Sequence, residues 1–236
     1  MTRDQVYGRR PVREALVGPR EVLELWATER AAAAEPWLRS GPRLQITPDR
    51  EISEAAATRD HQGVLAWVEP YRYADAHELA AAEQPLLACL DQVTDPRNLG
   101  AVIRSAEGAG ATGVVVPAHG SAMVTAAVAR ASAGAVEHLP VAVVPNLARY
   151  LNEIKRGDLW IYAAAAEAEG TMWQTDLTGG LALVFGAEGR GVRPLVRRAC
   201  DGAVSIPLRG RVESLNVSVA AALLLYEAAR RREGRS

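Results

Sequence analysis

The sequence predicts an α/β fold, and three observations predict it. From Pro85 onward, short apolar runs alternate with helical patterns, which implies a mostly parallel sheet with helices on both faces. Residues 4–69 alternate helix and strand signals on a smaller scale, as a compact α/β unit of their own. Between the two, residues 70–84 shift to Tyr, Ala, His and acids without strand signals, and read as a linker of one helical turn or more. The expected organisation is a small domain over 1–69, a linker over 70–84 and a large domain over 85–236.

In the small domain, helical patterns around 11–17 and 49–58 alternate with apolar runs at 22–26, 44–46 and 63–68. The last run is apolar at successive positions, as in a strand covered on both faces. Ala31 to Ala34 form a good helix segment. In the large domain, 86–90 is a strand, and Asn98 opens a helix to about Gly108. Strand 113–116 precedes a helix near 124–131, and strand 140–144 precedes a helix over 147–155. Runs 160–164 and 181–185 are strands, and 194–199 is a short helix. Val204 to Ile206 form the last strand, and 217–232 the closing helix.

Composition narrows the class. A hydrophobic content of 49% with 23% charge fits a soluble globular protein. No apolar run approaches the ~18 residues of a membrane span. The start, Met1-Thr2-Arg3-Asp4-Gln5, lacks an apolar signal core, so a cytoplasmic location is expected. Cys89 and Cys200 make neither a disulfide framework nor a metal-ligand spacing, and read as reduced core residues. The net charge of −1 argues against binding an anionic polymer by bulk charge. Residues 1–84 hold 11 Arg against 14 acids, and residues 85–236 hold 16 basic residues against 14 acids, so phosphate contacts would be local patches. Arg3, Arg9, Arg10 and Arg13 cluster near the start. Arg190, Arg193, Arg197 and Arg198 cluster beside a glycine loop, with Arg209 and Arg211 just beyond. Solvated surface charge is the plain alternative for each. Lys155 is the only lysine, and Arg suits bidentate phosphate recognition.

Several chemistries are excluded. Gly108-Ala109-Gly110-Ala111-Thr112-Gly113 matches G-x-G-x-x-G, but a dinucleotide fingerprint needs strand, glycines, then helix. Here the glycines follow a helix and precede a strand, and read as a helix end and turn. There is no P-loop, no H-E-x-x-H and no G-x-S-x-G. His61, His77, His119 and His138 are scattered and suggest no metal site.

The candidate site lies in four segments. Gly186-Ala187-Glu188-Gly189-Arg190-Gly191 follows a buried strand, and its glycines let the backbone turn sharply and approach a ligand. Glu188 at its tip orients a substrate group or caps the following helix. Ile206-Pro207-Leu208 is an apolar wall with a rigid turn, apt to flank a purine ring, or a plain strand end. Ser214-Leu215-Asn216 precedes a strongly apolar helix, so Ser214 or Asn216 suits an N-cap, and a helix entry also offers free N–H groups to a ligand. Asn98 caps its helix or meets a ligand. Arg104 lies in the apolar or small-residue stretch 99–106 and needs a partner there, such as a substrate phosphate or ribose.

The types, order and spacing of these segments together resemble the three signature motifs of the SpoU (TrmH-like) RNA 2′-O-ribose methyltransferases, of the SPOUT class. The first motif has Asn, Gly and Arg spaced as Asn98, Gly100 and Arg104. The second has Gly186 and Glu188. The third has Ile206-Pro207 followed by Ser214-Leu215-Asn216. The resemblance implies a trefoil-knotted S-adenosylmethionine site, although knots are rare exceptions to topology rules. It implies that Gly186, Ile206 and Leu215 hold the cofactor, and that Asn98, Arg104, Glu188, Ser214 and Asn216 form the catalytic and substrate-positioning set. The N-terminal part, Val6-Tyr7-Gly8 followed by Val12 and Ala15-Leu16, resembles the L30e-like RNA-binding domain of the 23S rRNA guanosine 2′-O-methyltransferases.

The implied reaction is in-line methyl transfer to a ribose 2′-oxygen of RNA, with no metal and no covalent enzyme intermediate. Family mechanisms assign activation of the 2′-hydroxyl to Arg104. An arginine normally stays protonated, so it acts as a base only if burial or an adjacent sulfonium disfavours its charge. Otherwise it stabilises the developing alkoxide or grips a phosphate. The resemblance further implies a homodimer with the cofactor site at its interface, and the apolar C-terminal helix is adequate for one. A tRNA or antibiotic-site rRNA substrate, and a catalytically silent RNA-binding or ribosome-assembly factor on the same fold, are the competing readings.

Overall fold

The structure, a computed structural model, describes residues 2–233. The chain divides into two compact units. One runs to Arg72 and adds Val124–His138. The other takes Tyr73–Met123 and the chain from Leu139 onward.

The first unit opens with β1 (Asp4–Tyr7), α1 (Arg9–Val17), β2 (Val22–Ala27), α2 (Glu29–Ala34), β3 (Leu44–Ile46), α3 (Asp49–Ala56) and β4 (Val64–Val68). Its sheet has the order β1-β4-β2-β3. β4 is antiparallel to β1 and β2, and β2 is parallel to β3, with Ala66 opposite both Val6 and Leu25. The central position of β4 explains its continuous apolar run: Val64, Leu65, Ala66 and Val68 are all buried. β1 carried no strand signal because only Val6 of its four residues is buried. The alanine segment becomes α2 because Thr28 Oγ1 accepts from Ala31 N at 3.2 Å, and Pro36 stops it.

The second unit contains α4 (Ala76–Ala81), β5 (Leu86–Asp91), α5 (Pro96–Gly108) and β6 (Gly113–Pro117). α6 (Ala126–Ala131) follows in the chain. Then come β7 (Val141–Val144), α7 (Leu147–Glu153), β8 (Leu159–Ala164), β9 (Gly180–Gly186), α8 (Pro194–Ala199), β10 (Gly202–Val204) and α9 (Val217–Glu233). The six strands order as β10-β8-β9-β5-β6-β7, and every neighbouring pair is parallel. One face of the sheet, with Leu87, Cys89, Val115, Ala142 and Ala182, packs on Ala80, Leu147, Tyr150 and Val196 from α4, α7 and α8. The alternate residues Leu86, Ala88 and Leu90 are equally buried, and α9 packs on β5, β9 and α5. Both cysteines are free thiols, and burial pushes the Cys89 thiol up and that of Cys200 up to about 11. Among the described residues no helix is long and apolar enough to cross a membrane.

Three details differ from the sequence expectation, and one, the helix within 70–84, fills it in. α5 starts at Pro96, not Asn98, because Asp95 Oδ1 accepts from Arg97 N at 2.8 Å and Pro fits the first helical position. The last strand ends at Val204, and Ser205 leaves the sheet to form a bridge with Thr171. The 70–84 stretch contains α4, capped by Asp75 Oδ1 accepting from His77 N at 2.7 Å, and Ala74 bridges to Ala142. Finally, residues 124–138 leave the second unit for the first, where α6 packs on β1 and α1. Buried Glu137 fixes the excursion: its carboxylate accepts from Arg20 Nε at 2.9 Å and also from Nη2. Periodicity finds a helix but not the sheet it packs on, so this exchange had no sequence signature.

Candidate active site

A cleft of about 690 Å³ opens at the carboxyl ends of β8, β9 and β10, lined by Ala164, Gly186, Val204 and the segments that follow them. Ligands of open parallel sheets bind at strand carboxyl ends, where the chain order reverses. Here β6 and β7 build outward from β5 on one side, and β9, β8 and β10 on the other.

The glycine segment makes one wall. Ala187 and Gly191 form an antiparallel bridge, with Gly191 N donating to Ala187 O at 2.8 Å. Gly189 and Gly191 have φ of +73° and +64°, a region that favours glycine. A Cβ on Gly186 would lie 2.0 Å from the Gly191 carbonyl carbon, so the loop folds back directly onto the strand end. Its far end is anchored by Asp91, which is fully buried at the end of β5. Asp91 Oδ2 accepts from Arg193 N at 2.8 Å, and Oδ1 lies 2.8 Å from Arg193 Nε and 2.7 Å from Nη2. Sequence reasoning missed Asp91. Its available signal was a lone acid ending an otherwise apolar strand, at a carboxyl end.

Asn98, Glu188 and Asn216, one residue from each of the three motifs, come together. Asn98 Nδ2 donates to Glu188 Oε1 at 3.0 Å, and Asn216 Nδ2 donates to Asn98 Oδ1 at 3.0 Å and also to Glu188 Oε1. Asn216 Oδ1 accepts from Ser218 N at 2.9 Å, so this side chain caps α9. That bond fixes the amide orientation and turns Nδ2 toward Asn98 and Glu188. Glu188 caps no helix, since α8 begins only at Pro194. A second hollow of about 380 Å³, lined by Gln92, Asp95, Asn98 and Gly120, shares Ala187, Glu188, Arg190 and Val217 with the main cleft. The three polar side chains therefore stand between a large recess and a smaller one.

The other candidates divide. Half-buried Ile206 and exposed Ser214 and Leu215 line the main cleft with Gly186. Arg104 lines neither hollow, is exposed, and makes no hydrogen bond or ion pair with a described residue. The helical period buries Val102, Ile103 and Ala106 and turns Arg104 outward. Of the basic cluster, Arg190 lines both hollows, and Arg197 lines the cleft and donates to Gly202 O at 3.0 Å.

Comparison with known proteins accounts for this arrangement. The model of the SpoU rRNA Methylase family matches residues 85–226, and that of RNA 2′-O ribose methyltransferase substrate binding matches residues 5–74. The chain is 40% identical to a Shewanella oneidensis protein named 23S rRNA (guanosine-2′-O-)-methyltransferase RlmB, over 97% of this chain and 98% of that protein. It is 43% identical to the Escherichia coli K12 protein of the same name, over 81% of each. The crystal structure of the SpoU methyltransferase AviRb from Streptomyces viridochromogenes, in complex with AdoMet, superposes with a TM-score of 0.83 at 27% identity, over 98% of this chain and 90% of that one.

The cleft fits S-adenosylmethionine. Its volume lies in the ~300–1,000 Å³ range of small-ligand sites. The folded-back glycine loop offers main-chain groups, and Ile206, Leu208 and Leu215 offer apolar walls for an adenine ring. The chain belongs to the SpoU rRNA methylase family, as an S-adenosylmethionine-dependent RNA 2′-O-methyltransferase.

Proposed function

We propose that this protein methylates the ribose 2′-hydroxyl of a guanosine in 23S rRNA, in the cytoplasm and as a homodimer. The observation that carries the reading is the convergence of Asn98, Glu188 and Asn216 at the rim of a glycine-walled cleft. The names of the relatives in Shewanella oneidensis and Escherichia coli supply the rRNA and the guanosine. Bound S-adenosylmethionine supplies a methyl group activated on a sulfonium.

Gly186, Ile206 and Leu215 hold that cofactor. Ser214 and Asn216 place polar groups where the main cleft is lined, and Asn98 and Glu188 shape the recess beside it. Mutual hydrogen bonding holds Asn98, Glu188 and Asn216 in one geometry, so the set positions the ribose rather than carrying its proton. Exposed Arg104 is a solvated cation, which suits it to steady the developing alkoxide or to grip the adjacent phosphate. It does so at the site of the other subunit, consistent with its place outside both hollows. Val219, Leu223 and Tyr226 of α9 lie at helical spacing and are 46%, 41% and 53% exposed, an apolar stripe suited to a subunit interface. We further read the segment from β10 through α9 as threaded into a deep trefoil knot. Residues 1–69 are read as an L30e-like RNA substrate-binding domain, joined by 70–84 to a catalytic domain over 85–236.

The test is methyl transfer from labelled S-adenosylmethionine to unmodified 23S rRNA, 16S rRNA and tRNA, followed by digestion to nucleosides. The expected product is 2′-O-methylguanosine on 23S rRNA alone. Another 2′-O-methylnucleoside, or tRNA as the acceptor, removes the guanosine or the rRNA reading. Cofactor binding without transfer to any of the three RNAs removes both.

A further inference from the structure

The first unit holds a cavity of its own, about 360 Å³, whose lining includes Arg9, Arg30, Arg59, Asp49, His61 and Gln62. The charge of Arg9 is already met, since its Nη1 lies 3.0 Å from Glu35 Oε1. Arg30 and Arg59 differ. Both are exposed and make no hydrogen bond or ion pair with a described residue, whereas Arg50 and Arg72 of the same unit each hold a neighbouring carboxylate. A lone free arginine is ordinary surface charge. Two at one concavity focus a positive potential into it.

The floor of this cavity is fixed before any ligand arrives. His61 is 2% exposed, and its Nδ1 accepts from Gly63 N at 3.0 Å, which leaves the ring proton on Nε2, 2.8 Å from Ser53 Oγ. Thr28 N donates to Gly63 O at 2.9 Å. Gly63 has φ of +75°, and a Cβ there would lie 2.6 Å from Thr28 Oγ1, so only glycine keeps the β4 entrance against the Thr28 turn. Asp49 adds an acceptor, with Oδ1 3.8 Å from His61 Nε2. A carboxylate repels a second phosphate but accepts from a base N–H.

We propose that this pocket binds one unpaired nucleotide of the RNA substrate, distinct from the nucleotide that is methylated. Its phosphate lies between Arg30 and Arg59, and the hydrogen-bonding edge of its base faces Asp49. Guanidinium groups pair bidentately with phosphate and stack on splayed-out bases, which is how single-stranded RNA is held. The volume suits a single nucleotide and not a duplex groove. The proposal rests on the reading that the substrate is RNA.

The test uses the full chain with unmodified 23S rRNA. RNA affinity is measured against salt concentration by filter binding, S-adenosylmethionine affinity by calorimetry, and folding by circular dichroism. In R30E/R59E, RNA affinity is expected to fall tenfold or more. The slope of log K against log salt should fall by about 0.7, the share of the one single-strand phosphate left without its arginines. Cofactor affinity should stay at the wild-type value. R39E/R43E, an equal charge change at exposed arginines of the same unit outside the pocket, should leave RNA affinity unchanged. If R30E/R59E fails to fold, R30Q/R59Q should show the same loss at smaller size. Equal effects of R30E/R59E and R39E/R43E, or no effect of the former, overturn the pocket. If RNA affinity depends on Arg30 and Arg59 but no methyl is transferred, the pocket stands and the catalytic reading falls. A wild-type protein that binds no RNA overturns both.

Discussion

Replacing Asp91 with Ala should loosen the cofactor loop without unfolding the protein. The carboxylate is fully buried and meets Arg193 at the backbone N, at Nε and at Nη2, all within 2.8 Å. Hydrogen bonds to charged groups contribute about 1.5–3 kcal/mol each, and breaking a wholly buried ion pair costs about 3–5 kcal/mol. The Arg193 side chain is 45% exposed, so its guanidinium regains water when the carboxylate is removed. The cost should therefore fall below that range, at about 2 kcal/mol. Its target is local, because Arg193 lies two residues beyond the Gly186–Gly191 segment. If the whole loss opposes the folded-back loop, affinity for S-adenosylmethionine drops roughly 30-fold, at about 1.4 kcal/mol per factor of ten. Calorimetric titration measures the affinity, and urea unfolding measures the stability. Asp91→Asn keeps an acceptor for Arg193 N and should fall between Ala and wild type. Asp91→Ala that binds the cofactor within twofold of wild type refutes the anchoring argument. A large drop in stability at unchanged affinity would make Asp91 a residue of the fold and not of the site.

Three further outcomes are expected. Gly186→Ala forces a Cβ to within about 2.0 Å of backbone, and overpacking of this kind costs about 1–3 kcal/mol, so cofactor affinity should fall tenfold or more while the far-ultraviolet spectrum is retained. Arg104→Lys should lower turnover at least tenfold with unchanged cofactor affinity, because an ammonium lacks the planar fork; near-full turnover would exclude a specific guanidinium role. Leu223→Glu places a charge within the exposed stripe of α9 and should convert the proposed dimer to an inactive monomer in sedimentation, whereas an undisturbed dimer would place the interface elsewhere.

The larger part of the second unit was legible because its signals are local. Apolar runs mark β5 to β9, and the glycine segment lies where a strand must turn. Gly186, Ile206, Ser214, Leu215 and Asn216 were nameable from the resemblance of their segments to the family's motifs, and all five line one cleft. What sequence does not carry is pairing across distance. The bonds joining Asn98 to Glu188 and Asn216 span 90 and 118 residues, and no periodicity encodes them. Asp91 stayed hidden because its partner lies 102 residues away. For Arg104 the sequence left the outward direction open, because apolar neighbours along the chain do not show which way the helical period turns a side chain.

The buried pair of Arg20 and Glu137 has a consequence for synthesis. The two residues are 117 positions apart, and Glu137 belongs to the excursion that completes the first unit. A chain emerging from the ribosome therefore presents Arg20 long before its carboxylate exists. The first unit is finished only after β5, α5 and β6 have been translated. A fragment ending at Arg72 would lack α6 and would leave the Arg20 guanidinium only the longer contact to the Asp4 carboxylate, at 3.6 Å. It is expected to be unstable however natural the cut looks in the sequence. Any transplant of the N-terminal unit onto another catalytic unit must carry residues 124–138 with it. The two halves of this protein are thus inherited as one piece of chain, not as exchangeable modules.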